Sequence, residues 1–408
     1  MTATKITIVM PTRERGDVLA RALATVTAQD YDGLEIVVSD NCSTDGTREV
    51  VAAAGDPRIR YLNTGRRVSM TDNWEFALSH VQGDGWVTIL GDDDGLMPGA
   101  VARVARLIQT SPAATHAIRS RVCKYSWPSL TGTPWGRLTV PLDRGHEVRA
   151  ARPWLARIMS GSHSYADLPI LYNGGFITTE LLARIKAGGA VYRSPIPDIY
   201  SAVAICSLVD HFVFSHEPFA ISGSSKHSTG ASHFVKDARA AESSPAKLFR
   251  REESIPFHAA LPREPDGGYP ISVHALVYES YLQTGFLRGE HPGARHAEQL
   301  AVMLAVGGKN QETVEAWGQR FAEAHGLDYA RCRAAATRLG RLRRVQRIPA
   351  RLRSAVDHLD LGSAELPIRD VFEATIAAAA VRATLPGPIT RLSRAAARLV
   401  HRRGSAPP

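Results

Sequence analysis

The first hundred residues alternate between two hydrophobic periodicities. Short β-branched and apolar runs at 5–10, 34–40, 59–63 and 85–91 predict four strands. Between them apolar residues recur at helical spacing. Over 13–29 they fall at Val18, Leu19, Ala22, Leu23 and Val26, one face of a helix. A short helix is predicted over 47–55, opened by the cap and turn residues Ser43, Thr44, Asp45 and Gly46 and closed by Gly55. Two more follow over 70–82 and 98–109, the second with Pro98 near its first turn. Strand–helix repetition of this kind builds a parallel sheet with helices on both faces, an α/β class. Ligands of such sheets sit beyond the carboxyl ends of the strands. Pro11-Thr12, Asp40 and Asp92 to Asp94 all fall at such ends, so they are expected to converge on one cleft.

Past residue 115 the pattern loses its regularity and gains aromatics, prolines and glycines. Mixed elements are expected there, with a helix over 199–209 and a strand over 211–216. Residues 231–268 are polar and rich in Ser, Pro and charge, which reads as a linker or flexible loop. From Ile271 onward the signals are helical, at 272–287, 294–307 and 311–326, and then in arginine-rich segments. The expected organisation is a domain over 1–230, made of two halves, 1–110 and 111–230. The linker, a mostly helical C-terminal region over 269–400 that is arginine-rich from 331, and a disordered tail at 401–408 follow it.

Composition narrows the class. A chain of 408 residues with 44% hydrophobic and 22% charged residues is an ordinary globular one, long enough for two or three domains. Cys42, Cys123, Cys206 and Cys332 are scattered without a CxxC pair, which fits reduced thiols in a cytoplasmic setting and suggests neither a disulfide framework nor a zinc site. The apolar stretch 6–10 is too short for a signal peptide, and no run approaches the ~20 residues of a membrane span. The net charge of +9 is concentrated late, from Arg331 through Arg353 and from Arg391 to Arg403. Such a cluster is either a solvated arginine-rich face or an attractor of polyanions, including the anionic inner face of a membrane. Nucleic acid is set aside, because the aromatics that a single-strand groove interleaves with its cations are missing.

The chemistry concentrates in Asp92, Asp93 and Asp94, directly after the apolar run Trp86 to Leu90. Like charges this close repel, and a buried carboxylate needs a positive partner. Carboxylates without His or Cys neighbours are hard donors suited to Mg²⁺, Mn²⁺ or Ca²⁺. Mg²⁺ takes one or two protein carboxylates and completes its shell with water and substrate phosphate, so an open site here suggests a nucleoside-diphosphate ligand. The other reading is a solvated turn that caps the following helix.

The stretch "ITIVMPTRERGDVLARALATVTAQDYDGLEIVVSDNCSTDGT", followed by "NWEFAL" and "WVTILGDDDGLMPGA", resembles the inverting nucleotide-sugar glycosyltransferases of family 2, which have the GT-A fold. The resemblance is strong over residues 5–101, about a quarter of the chain, and fades by about residue 230. It implies a Rossmann-like nucleotide-binding sheet, a divalent cation (Mg²⁺ or Mn²⁺), a nucleotide-diphosphate sugar donor, and an acceptor hydroxyl on a glycan, lipid or small molecule. It places Pro11, Thr12 and Glu14 at the nucleoside and Asp40 at the base. The family's Asp-x-Asp motif aligns with Gly91-Asp92-Asp93, so its first acid is absent. Asp93 is then the expected metal ligand, and Asp92 belongs to the nucleotide site. For Asp94, binding through water, contact with the sugar and helix capping all stay open.

The family's catalytic base aligns with Asp198 in "SPIPDIYSAVA", where Pro197 replaces the usual glutamate. An aspartate opening an apolar helix is also a favourable N-terminal charge. In "SGSSKHSTGAS", His227 is the candidate for a late metal or diphosphate histidine, or else a solvated loop residue, and Arg66 and Arg67 are candidates to neutralise the diphosphate. The function implied is a metal-dependent inverting glycosyl transfer. The alternatives are an inactive nucleotide-sugar or glycan-binding module and a sugar nucleotidyltransferase. The latter is disfavoured because no glycine-rich phosphate loop follows the first strand, and dehydrogenase and P-loop signatures are missing as well.

Overall fold

The computed structural model describes residues 3–228, 245–289, 295–362 and 367–384. The expected tail at 401–408, the first part of the expected linker (231–244) and the arginines from Arg391 to Arg403 lie outside the described residues.

Strands β1 (Ile6–Thr12), β2 (Leu34–Asp40), β3 (Ile59–Asn63) and β4 (Trp86–Ile89) run parallel in the order β3-β2-β1-β4. Their registers decide what meets at the carboxyl edge. Thr12 pairs with Asp40, and the amide of Asn41 donates to the Thr12 carbonyl at 3.0 Å. Val9 pairs with Ile89, so continuation of that register brings Gly91 level with Pro11.

Beyond β4 the sheet is mixed. β5 is the two-residue Gly95–Leu96; β6 (Ala117–Ser126), β7 (Arg137–Pro141), β8 (His146–Ala150), β9 (Gly175–Thr178) and β10 (His211–Ser224) follow. β9 lies antiparallel between β4 and β6. β10 runs parallel to β6 across an irregularity between Ser215 and Ala220, and antiparallel to β5 and β8. It extends eight residues past the predicted 211–216 strand, through the small-residue stretch that follows. The observed class is the expected α/β.

Helical faces cover the sheet as the spacing predicts. The helix Gly16–Thr27 buries Val18, Leu19, Ala22, Leu23 and Val26, of which the valines and leucines are each worth roughly 1.5–3 kcal/mol when removed from water. On the other side of the molecule the helices Val273–Gln283, His296–Val306 and Gln311–Ala324 share one apolar core with the helix Pro197–Leu208, joined through residues such as Tyr200, Ala275, Tyr278 and Phe321.

The C-terminal region differs from expectation in one respect. Within its helical pattern, β11 (His358–Leu361) leaves the long helix Tyr329–Asp357 and pairs antiparallel with β7. Four alternating residues are too few to register against a helical background. The helix Val371–Ala383 then returns to the N-terminal half, where Val371, Ala374 and Ala378 share a core with Leu19 and Leu23. No helix among the described residues is long and apolar enough to cross a membrane.

Candidate active site

The three aspartates are buried, and each has a different set of partners. Asp92 Oδ1 accepts from Arg15 Nη1 at 2.8 Å. The positive partner that the triplet demands is therefore a guanidinium from the loop after β1. Burial opposes the charge on Arg15, yet Asp92 and Asp93 together hold its pKa above the ordinary arginine value. Burial also raises Asp92, and Arg15 pulls it back while Asp93 pushes it further up.

Asp93 faces the segment that follows β10. Its Oδ2 accepts from the Ser225 amide (3.2 Å), Ser225 Oγ (2.7 Å) and Ser228 Oγ (2.8 Å). Its backbone carbonyl accepts from Trp127 Nε1 at 2.9 Å. The run of small hydroxyl residues thus works as a strap that converges on one carboxylate oxygen.

Asp94 turns inward. Its Oδ1 accepts from the Gly223 amide at 2.7 Å, and its Oδ2 from Tyr172 Oη at 2.6 Å and the Gly91 amide at 3.1 Å. Burial and the charge of Asp93 push it up to about 8, against the pull of those three donors. These contacts fix the turn 91–94 against β10 and Tyr172. Tyr172 in turn stacks on Trp74 with ring centroids 5.4 Å apart.

The expected nucleoside end is equally ordered. Asp40 is buried, and its carboxylate accepts from the Ser43 amide at 3.0 Å and from Tyr61 Oη at 2.6 Å. Glu14 adopts a left-handed backbone (φ 52°). Its amide donates to Ser43 Oγ at 2.8 Å and its carboxylate accepts from the Thr44 amide at 3.1 Å, which locks the loops after β1 and β2 together. Pro11 and Thr12 close β1, and the Thr12 hydroxyl is buried without a hydrogen-bond partner. Arg67 lies 3.3 Å from Glu252, which also pairs with Arg13.

His227 sits close by with its ring turned elsewhere. Nε2 is 3.4 Å from Asp17 Oδ2, while the backbone carbonyl accepts from Arg15 Nη2 at 2.6 Å. Among the described residues, no group of three or more His, Cys, Asp and Glu side chains is arranged to hold a metal ion. What the donor set does fit is an ion held by one or two carboxylates and completed by water and phosphate. Asp93 takes its three side-chain hydrogen bonds on Oδ2, which leaves Oδ1 for such an ion.

Asp198 is half-buried in the first turn of the helix Pro197–Leu208. Tyr165 Oη donates to its Oδ2 at 3.4 Å. Burial raises its pKa, against the pull of the Ile199 amide, Tyr165 and the more distant Arg119. Arg119 is itself buried and pushed down to about 10 by desolvation; it spends its donors on the carbonyls of Ala166, Tyr172 and Asn173. Segment 165–173 therefore touches both Asp198, through Tyr165, and Asp94, through Tyr172.

The residues that sequence reasoning did not single out are Arg15, Tyr61, Tyr165, Tyr172, Ser225 and Ser228. Only Arg15 carried a usable signal, as a cation in the loop at the edge where the acids were expected.

Buried carboxylates and an arginine at the carboxyl edge of a parallel β3-β2-β1-β4 sheet define an α/β protein with a polar cluster at its strand ends. Residues 7–163 match the family model described as Glycosyl transferase family 2. Over 101 residues the chain is 37% identical to the GalNAc(5)-diNAcBac-PP-undecaprenol β-1,3-glucosyltransferase of Campylobacter jejuni, covering 24% of this chain and 32% of that protein. Over 182 residues it is 30% identical to galactofuranosyltransferase GlfT1 of Mycobacterium tuberculosis, covering 43% of this chain and 56% of that one. The matches thus span less than two thirds of either relative. Among solved structures, the mannosyltransferase PcManGT from Pyrobaculum calidifontis, in complex with GDP-Man and Mn²⁺, aligns with a TM-score of 0.40 at 18% identity, over 94% of this chain and 88% of that one.

Proposed function

We propose that this chain transfers a sugar from a nucleoside-diphosphate sugar to an acceptor hydroxyl in one displacement, inverting the anomeric carbon. The observation that carries the reading is the pairing of Arg15 with Asp92, next to Asp93, at the ends of β1 and β4, near Thr12 and Asp40, within the stretch that matches the family 2 model. On this reading Pro11, Thr12, Glu14 and Asp40 take the nucleoside, and Asp92 and Asp93 face the diphosphate. Carboxylates and a diphosphate meet only with cations between them. Arg15 is one such cation. A Mg²⁺ or Mn²⁺ ion held by Asp93, with Asp92 beside it, is the other; when bound it offsets charge that develops on the leaving diphosphate.

Asp198 takes the proton of the acceptor hydroxyl. As that oxygen bonds to the anomeric carbon, the bond from this carbon to the diphosphate oxygen breaks and its electron pair leaves with the nucleoside diphosphate. A carboxylate raised above its ordinary range by burial is the stronger base for this step. The glucosyl- and galactofuranosyltransferase relatives support a hexose-type donor. We also propose that the exposed arginines of the helix Tyr329–Asp357 bring the chain to an anionic membrane surface.

Incubation with a panel of UDP-, GDP- and dTDP-sugars and Mn²⁺ tests the reading through release of nucleoside diphosphate. Asp198→Asn is expected to lower turnover by roughly 10²–10⁴-fold with nucleotide affinity retained, and Asp93→Ala to remove the Mn²⁺-dependent part of UDP or GDP binding. Silence across the whole panel would leave a nucleotide-sugar or glycan-binding module, and wild-type turnover in Asp198→Asn would remove that residue from its role.

A further inference from the structure

We infer that Glu279, in the C-terminal helical region, is a positioning residue for the helix that carries Asp198; its kinetic consequence rests on the transferase reading above. The start of that helix has no side-chain cap of its own, since Ile196 at the cap position offers no acceptor. Its entry is fixed from outside. Ser194 Oγ accepts from the Ile196 amide at 3.2 Å and donates to Glu279 Oε2 at 2.6 Å. Ser194 and Glu279 are both fully buried. The other oxygen of Glu279 accepts from the His258 amide at 3.2 Å and from Gln283 Nε2 at 3.0 Å. One carboxylate therefore joins three pieces of chain: the approach to the Asp198 helix, the turn at 258, and the helix Val273–Gln283.

The energetics favour a directional role. Partners of Glu279 among the described residues are neutral donors, and burial pushes its carboxyl up to about 7. A carboxylate held in a core without a counter-charge is costly, and a leucine would fill the space without that cost. What the acid adds is a strong acceptor that orients Ser194. On its far side the Asp198 turn is held by Ser201 Oγ, which donates to the Asp198 carbonyl at 2.8 Å and accepts from the Leu171 amide at 3.1 Å. Asp198 is thus clamped between segment 165–173 and the C-terminal helices.

The full chain tests this with Ser194→Ala and Glu279→Gln, the first of which removes only a hydroxyl. Hydrogen exchange at the amides of Ile196 and Asp198 is expected to quicken at least about tenfold in both variants, with exchange in β1 and β2 unchanged. In the donor-release assay Ser194→Ala is expected to lower kcat on the order of 10–100-fold with donor KM unchanged, and to have no further effect in an Asp198→Asn background. Unchanged exchange at Ile196 and Asp198, or losses that multiply in the double variant, would overturn the inference. Wild-type turnover in Asp198→Asn, with altered exchange in Ser194→Ala, would instead overturn the base assignment and leave the clamp standing.

Discussion

Arg15 reaches Asp92 at 2.8 Å and the carbonyl of His227 at 2.6 Å, so one guanidinium from the loop after β1 joins the acid triplet to the strap after β10. Without it Asp92 and Asp93 face each other uncompensated. Arg15→Met is expected to cost about 2–4 kcal/mol, discounted from the roughly 3–5 kcal/mol for breaking a fully buried ion pair because the arginine side chain keeps 24% of its exposure. Urea denaturation measures the loss. Mn²⁺ should raise the melting temperature of the variant more than that of the wild type, since a second cation then finds a vacated partner. Equal shifts would argue that the ion and the guanidinium do not share the acids.

Gly223 lets β10 press against the acid turn. A Cβ there would stand 1.7 Å from the Asp93 carbonyl oxygen and 2.6 Å from its carbon, both backbone atoms that cannot swing aside. Gly223→Ala is expected to destabilise the chain by roughly 1–3 kcal/mol through forced backbone shifts. It should also weaken Mn²⁺-dependent nucleotide binding, because the displaced strand carries Ser225 and Ser228 away from Asp93. Thermal melts with and without UDP and Mn²⁺ separate the two effects.

The N-terminal half was legible because its elements are long and strongly periodic. The five apolar positions read off the first helix are those that it buries, and the second and third strands begin and end where they were predicted. The site's acids were legible too, since strand ends in a parallel sheet are fixed by register. Their partners were not. Arg15 lies 77 residues from Asp92 and Ser225 lies 132 from Asp93, and only the folded topology brings such positions together. The ring of His227 faces Asp17 for the same reason: a residue in an irregular strap has no periodicity from which its direction can be read.

Acid sensitivity should come from the C-terminal core. His274 is buried, its Nε2 lies 2.8 Å from Gln299 Oε1, and desolvation pushes it down to about 4. The unfolded chain binds a proton at this residue below its ordinary value near 6.5, whereas the folded chain refuses it until about 4. Stability is therefore fully present above about 6.5 and falls as pH drops toward 4, by up to on the order of 3 kcal/mol from this group. Urea midpoints between pH 7 and pH 4.5 should show that slope, reduced in His274→Gln. An unchanged slope would place the acid sensitivity elsewhere.

Membrane attraction must be tested without cutting the chain. Removing residues from 331 onward would take away β11, which pairs with β7, and the helix Val371–Ala383, whose Val371 and Ala374 share a core with Leu19. A truncated protein that failed to bind vesicles would report only its own unfolding. Substitution avoids this. Arg331, Arg333, Arg338 and Arg341 are exposed on the helix Tyr329–Asp357, beside Leu342 at 63% exposure, and Arg333 alone of these has a described acidic neighbour, Glu315 at 3.6 Å. Each arginine near an anionic surface contributes about 1 kcal/mol. Changing all four to Gln should lower partitioning onto phosphatidylglycerol vesicles by up to roughly a thousandfold. Wild-type pelleting should also fall as salt is raised from 0.1 to 1 M, because the screening length shrinks from about 10 to 3 Å. Binding to neutral phosphatidylcholine vesicles at the same level, or pelleting of the substituted chain like the wild type, would assign these arginines to solvation alone.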